Sequence, residues 1–243
     1  AAVLIGFWAD YFARKTTPDL FPQLGEITFS LPSTQGRPIS NDDLLGQPVA
    51  MFFGFTHCPE VCPVTLYTLT EITASIGEVA DKLQIVFVTV DPERDTIPVL
   101  KSYIEAMDES AIGLSGTIDQ HAAMQKSFRV FAQKVPLDDG DYTMDHTATV
   151  YLYDAKGRLS GTIAWGEPHD FALAKVKAVL GIKSYVYLSF YKGHAQSQHR
   201  GAENPPGEGQ MTYRRESVKP PAITANGLRQ DFRRHRRQRH SMA

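Results

Sequence analysis

The chain has 243 residues, 42% of them hydrophobic and 21% charged, and a formal charge of −2, a composition that supports a sizeable core and one compact domain with appendages. The small net charge conceals an asymmetry. From Ser184 onward the chain holds eleven of the 25 Lys and Arg and four of the 27 Asp and Glu, so this tail carries +7 and the rest −9. No Gly-rich phosphate loop, nucleophile elbow, internal repeat or nucleic-acid module is present in the sequence.

In chain order, Ala1 to Tyr11 (AAVLIGFWADY) is apolar for nine residues before Asp10, less than half of the roughly 20 that cross a bilayer. It reads as the trailing end of an anchor or as a buried N-terminal segment. Ile27 to Leu31 and the turn Thr34 to Pro38 predict a hairpin. From Gln47 to Gly181 strands and helices alternate: strand Val49–Phe55, helix Val64–Val79, strand Leu83–Asp91, helix Ile97–Met107, a short extended piece Gly113–Gly116 and helix Gln120–Phe128. A second hairpin follows, Thr147–Tyr153 and Leu159–Trp165, turned at Asp154 to Gly157, and a helix from His169 to Leu180 stops at Gly181. This order predicts a thioredoxin-like α/β fold with an N-terminal hairpin extension and a C-terminal hairpin plus helix. The polar, basic stretch from residue 184 to 243 lacks the apolar content to offset its ordering entropy and predicts a low-order tail.

Both cysteines, Cys58 and Cys62, lie in one motif, FFGFTHCPEVCP, at the junction of a buried strand and an amphipathic helix. A thioredoxin-type pair is CxxC. The extra residue moves the second sulfur by about 100° around a helix, onto the same face as the first. At i and i+4 the Cβ atoms lie roughly 5–6 Å apart, which suits two thiolates on one metal and also permits a disulfide. Cysteines at a helix N-terminus have depressed pKa values, so thiolate is available near neutral pH.

Thiolates select Cu(I) or zinc, and a third ligand would be an imidazole. His146, in GDYTMDHTATVYLYD, precedes an alternating run that predicts a strand neighbouring that of the cysteines. His57, adjacent to Cys58, is its rival, although neighbouring residues at a strand-to-loop junction point in different directions. On spacing alone His146 is as much a capping or core-edge histidine as a ligand. In VDPERDT, Pro92 ends a strand and Asp95 or Thr96 caps the next helix. Asp91, Glu93 and Arg94 stand at the carboxyl end of that strand, where they tune the site or meet a partner in the alternative reading. Asp145 is a candidate acceptor for the imidazole of His146, or a solvated loop carboxylate.

Three blocks, FFGFTHCPEVCP, VFVTVDPERDT at Val86–Thr96 and DYTMDHT at Asp141–Thr147, resemble in order and spacing the signatures of the Sco (SenC) family of copper-binding cytochrome c oxidase assembly proteins. The resemblance covers about Leu20 to Ile182. It implies a thioredoxin-like fold and a single copper, Cu(I) or Cu(II), held by Cys58, Cys62 and His146. It also implies cytochrome c oxidase subunit II as partner, an upstream copper donor and an N-terminal membrane anchor. The resulting division is 1–19 as anchor remnant and linker, 20–183 as the copper-binding domain and 184–243 as the basic tail, which the family pattern lacks. The expected location is extracytoplasmic, on the periplasmic face of a bacterial inner membrane or in the mitochondrial intermembrane space. The competing reading is a thiol-disulfide oxidoreductase, with Cys58 attacking, Cys62 resolving and no obligatory metal. A peroxidase and a structural zinc site are the weaker alternatives, the latter because a fourth ligand is not evident.

Overall fold

The computed structural model describes residues 22–182 apart from residue 139. The expected anchor remnant (1–19) and basic tail (184–243) lie outside the described residues. The framework is a five-stranded mixed sheet. In chain order its strands are β3 (Val49–Gly54), β4 (Gln84–Thr89), β5 (Ile112–Leu114), β8 (Thr149–Tyr153) and β9 (Leu159–Ala164), arranged β5-β4-β3-β8-β9. β3, β4 and β5 run parallel, while β8 and β9 are antiparallel to their neighbours.

β3 is central and every one of its side chains is buried, which is why VAMFFG reads as a continuous apolar run without alternation. Its pleat sends neighbouring phenylalanines to opposite faces. Phe52 packs edge-on against Phe87 at 5.7 Å between ring centres, whereas Phe53 packs against Phe128 at 5.4 Å and Tyr151 at 6.1 Å. Phe128 belongs to α4 (Ile118–Phe128), whose capping box pairs Thr117 with Gln120. α2 (Val61–Ile76) packs with α3 (Ile97–Met107) and α5 (His169–Val179). Tyr103 of α3 packs at a tilt against Phe87, so these helices lie over the Phe52 face.

The expected N-terminal hairpin forms as β1 (Ser30–Leu31) and β2 (Ile39–Ser40). A single helical turn, α1 (Asn41–Leu44), follows β2 and is closed by a Ser40/Asp43 capping box. The turn of the β8–β9 hairpin uses Asp154 to accept the amides of Lys156 and Arg158, with Gly157 in a left-handed conformation at φ +73°. Two departures from the expected elements bear on the site. α2 starts at Val61, not Val64, so Cys62 sits inside its first turn. A separate two-stranded sheet, β6 (Ala132–Pro136) with β7 (Tyr142–His146), stands in a stretch for which the sequence predicts no strand, and His146 is its last residue.

Candidate functional site

The site lies at the carboxyl end of β3. After Gly54 the chain turns through Thr56 and His57, with the amide of Cys58 donating to Phe55 O at 3.3 Å, and then enters α2. Glu60 occupies the N-cap position of α2 but makes no side-chain capping bond. Cys58 Sγ takes that role instead, accepting the amide of Cys62 at 3.3 Å. The i, i+4 spacing thereby puts one sulfur against the positive end of a helix. Cys58 is 9% exposed and Cys62 fully buried, and both are free thiols.

The pair is electrostatically unequal. Cys58 is pulled well below the ordinary thiol range, first by the hydrogen bond from Cys62, against the opposing effect of burial, and then by His146 and the amides of Cys62 and Glu60. Cys62 is pushed far upward by the Cys58 sulfur beside it and by its own burial. The direction is clear: Cys58 carries the negative charge and Cys62 keeps its proton.

His146 reaches the sulfurs from β7. Its ring lies edge-on to Phe52 and Phe55, with centres 6.3 and 5.7 Å away, which restrict its orientation. Nδ1 lies 3.1 Å from Thr147 O, an atom that only accepts, so Nδ1 is the donor there and Nε2 is the nitrogen turned toward the sulfurs. That nitrogen lies 3.7 Å from Cys62 Sγ. A metal bonded to a thiolate at about 2.3 Å and to an imidazole at about 2.0 Å separates those atoms by roughly 3.5–3.8 Å at trigonal to tetrahedral angles. Cys62 and His146 therefore match the spacing of two ligands of one ion. Among the described residues, no group of three or more His, Cys, Asp or Glu side chains already stands as a metal-holding cluster. The contacts are the Cys62 amide on Cys58 Sγ and Cys62 Sγ against His146 Nε2.

His57 is 51% exposed, and its Nδ1 lies 3.1 Å from Thr56 Oγ1 and 3.9 Å from Asp95 Oδ1. Its partners are thus different from those of His146. Asp145 is exposed on the face of β7 opposite Tyr142, Met144 and His146, and Thr147 O occupies the position at Nδ1 that an orienting carboxylate would take.

Three further residues shape the site. Asp95 has a fully buried side chain and accepts from Thr56 N at 3.0 Å, Thr56 Oγ1 at 2.6 Å and Thr89 Oγ1 at 2.6 Å, tying the loop before Cys58 to the end of β4. It is not a helix cap. Thr96 occupies the N-cap position of α3 and makes no side-chain bond there. Arg94 joins Asp91 to the β6–β7 hairpin. Gly54 leaves room for the second sulfur, because a Cβ there would stand 2.9 Å from Cys62 Sγ. The sequence signal for Gly54 is its place at the end of an otherwise large-residue apolar run; Asp95 carries no comparable signal, since burial of a carboxylate is not visible in composition.

The family profile of SCO1/SenC matches residues 18–181. The chain belongs to the SCO1/SenC family. It is 38% identical over 170 residues to an SCO2-like protein of Rickettsia felis, a match covering 65% of this chain and 83% of that one. To the mitochondrial SCO2 homolog of Mus musculus it is 37% identical over 137 residues, and it spans about half of that relative's length, 54%. Among solved structures, Bradyrhizobium japonicum ScoI with copper bound is similar at 41% identity and a TM-score of 0.58, covering 63% of this chain and 98% of that one. Yeast Sco1 with copper bound is similar at 28% identity and a TM-score of 0.59, covering 67% of this chain and 91% of that one. The family and the thioredoxin-like fold agree with the sequence reading.

Proposed function

We propose that this SCO1/SenC protein is a copper-binding assembly factor that takes one copper on Cys58, Cys62 and His146 and assists maturation of the dinuclear copper site of cytochrome c oxidase subunit II. The observation that carries the reading is the position of His146 Nε2, with Thr147 O holding the other ring nitrogen, at metal-bridging distance from Cys62 Sγ. Copper-bound structures of similar Sco proteins support the choice of metal. A polarisable pair of sulfurs with one imidazole suits Cu(I), and a site of few ligands leaves an open position that an incoming thiolate can attack. A closed four-ligand site would release its cargo more slowly.

The same reading gives the chain an upstream copper donor, an extracytoplasmic location and an N-terminal membrane anchor of which residues 1–19 are the remnant and linker, with 20–183 as the working domain and 184–243 as a basic tail. No helix among the described residues is long and apolar enough to cross a membrane. The second reading, a thiol-disulfide oxidoreductase without obligatory metal, is favoured by the inequality of the cysteines: a stabilised thiolate at Cys58 beside a protonated, buried Cys62 is the order of an attacking and a resolving thiol.

Incubation with the isolated copper-free domain of subunit II separates the two. Copper-loaded chain should transfer metal to the domain with reduced cysteines and generate its dinuclear spectrum. If metal-free chain instead reduces the oxidised domain and loaded chain transfers no copper, the oxidoreductase reading replaces the metallochaperone.

A further inference from the structure

His146 stands on a hairpin that makes no backbone ladder with the five-stranded sheet. It is tied to that sheet covalently at its own end, where Thr147 and Ala148 lead into β8. At that end Ala132 and Met144 pack against the core and the His146 ring lies against Phe52 and Phe55, and a rotation of the hairpin about this base would carry Nε2 away from Cys62. The other end, roughly 13 Å along the strand at Tyr142, is fastened by polar links.

These links join it to the loop after β4. Arg94 Nε pairs with Asp91 Oδ2, and Arg94 Nη1 donates to Tyr142 O at 2.8 Å and to Asp141 Oδ1 at 3.2 Å. Its guanidinium lies 3.7 Å from the centre of the Tyr142 ring, with Lys134 Nζ 4.6 Å from the same centre. Tyr142 donates its hydroxyl to Asp91 Oδ1 at 2.9 Å, and Lys134 of β6 pairs with Glu93 at 2.6 Å. The Arg94 side chain is only 17% exposed and that of Asp91 is fully buried, so this pair is little weakened by solvent, whereas Asp141 and the Lys134–Glu93 pair are open to it. One residue further along, Asp95 grips Thr56 of the cysteine loop. The segment Asp91–Asp95 therefore holds the thiol loop at one end and the imidazole hairpin at the other.

We propose that this segment is a clamp that sets the sulfur-to-imidazole distance, and that Arg94 is the positioning residue that keeps His146 within reach of a metal on the cysteines. The proposal rests on the reading that Cys58, Cys62 and His146 hold copper. Arg94 touches neither sulfur nor ring; it acts by fixing the hairpin that carries the ring. Groups that orient metal ligands are worth about 10–100-fold in affinity.

The test is a double-mutant cycle on the reduced full chain, titrated with Cu(I) against a competing chelator, with the nitrogen hyperfine signature of the Cu(II) form as second readout. Arg94→Gln should weaken copper by about 10–100-fold when His146 is present, diminish the nitrogen signature, and change affinity less than about twofold when combined with His146→Ala. Arg94→Lys, which keeps the charge but not the fork, should recover part of the loss. Because Arg94→Gln strands the buried Asp91 carboxylate, Tyr142→Phe provides a milder variant that keeps the ion pair and removes one bond. It should show a smaller loss that also vanishes without His146. Equal losses with and without His146, or an unchanged affinity and signature in folded Arg94→Gln, overturn the clamp and leave the copper site standing. Unchanged affinity in His146→Ala alone overturns the ligand set and the clamp together.

Discussion

Gly54→Ala is the smallest substitution that reaches the site. Gly54 is not required by a left-handed backbone; it ends β3, and the constraint is space. A Cβ would stand 2.8 Å from Phe52 Cε1, 2.9 Å from Cys62 Sγ and 3.0 Å from Phe87 Cε2. Carbon contacts are optimal near 3.5–4.0 Å, so each neighbour must retreat by roughly 0.5–1 Å. None has free room, since Phe52, Phe87 and Cys62 are all fully buried. Overpacking of this kind costs about 1–3 kcal/mol, against about 0.5–1 kcal/mol that alanine gains over glycine in a strand. The net loss, between about 0 and 2.5 kcal/mol and centred near 1, lowers Tm by roughly 2–4 °C at its centre for a domain of this size. Thermal unfolding of the reduced chain by circular dichroism checks it, with Gly161→Ala as control, because a Cβ at Gly161 meets nothing within 4 Å. An unchanged or raised Tm for Gly54→Ala would refute the packing argument.

Replacing Asp95 with Ala leaves the Thr56 amide and the hydroxyls of Thr56 and Thr89 without their acceptor, and should cost about 3–5 kcal/mol in urea unfolding; a loss below 1 kcal/mol would contradict its role as a hub. His121 is buried with Nε2 accepting the Gly116 amide at 2.8 Å, and burial pulls its pKa from 6.5 down to about 4. The unfolded chain therefore binds the extra proton between these values, and the stability His121 confers is complete above pH 6.5, shrinks as pH falls and is gone below about pH 4. That amounts to roughly 2–3 kcal/mol between pH 7 and 4.5. His121→Phe should flatten this part of the pH profile, and an equally steep profile would assign it to other groups. Limited alkylation of the metal-free chain at neutral pH, mapped by mass spectrometry, should modify Cys58 well before the fully buried Cys62; the reverse order would contradict the assignment of charge.

The central sheet was legible because its strands obey simple rules: β3 and β4 are buried apolar runs, and α3 begins at Ile97 with Pro98 in its first turn, as its sequence predicts. The β6–β7 hairpin was not. AQKVP has neither an apolar run nor alternation and YTMDH alternates over only five residues, and the hairpin is held through Arg94, Lys134 and Tyr142, contacts with a loop about 40–50 residues away. α2 begins at Val61, three residues before the expected Val64, which leaves Pro63 in its first turn, and Cys58 Sγ supplies the cap that the sequence does not announce. Of the site, the spacing of the cysteines showed why they face one another. His146 was singled out by the family resemblance, since an approach through tertiary folding leaves no periodic trace. Asp95 looked like a helix cap because Asp before a helix normally is one; only the fold shows that its carboxylate points inward to Thr56 and Thr89.

The central claim is one copper on Cys58, Cys62 and His146. Titration of the fully reduced full chain with Cu(I) under a competing chelator, beside His146→Ala, tests it most directly. The account predicts one tightly held copper per chain and a marked loss of affinity in the variant; no specific copper binding, or an affinity indifferent to His146, would contradict it.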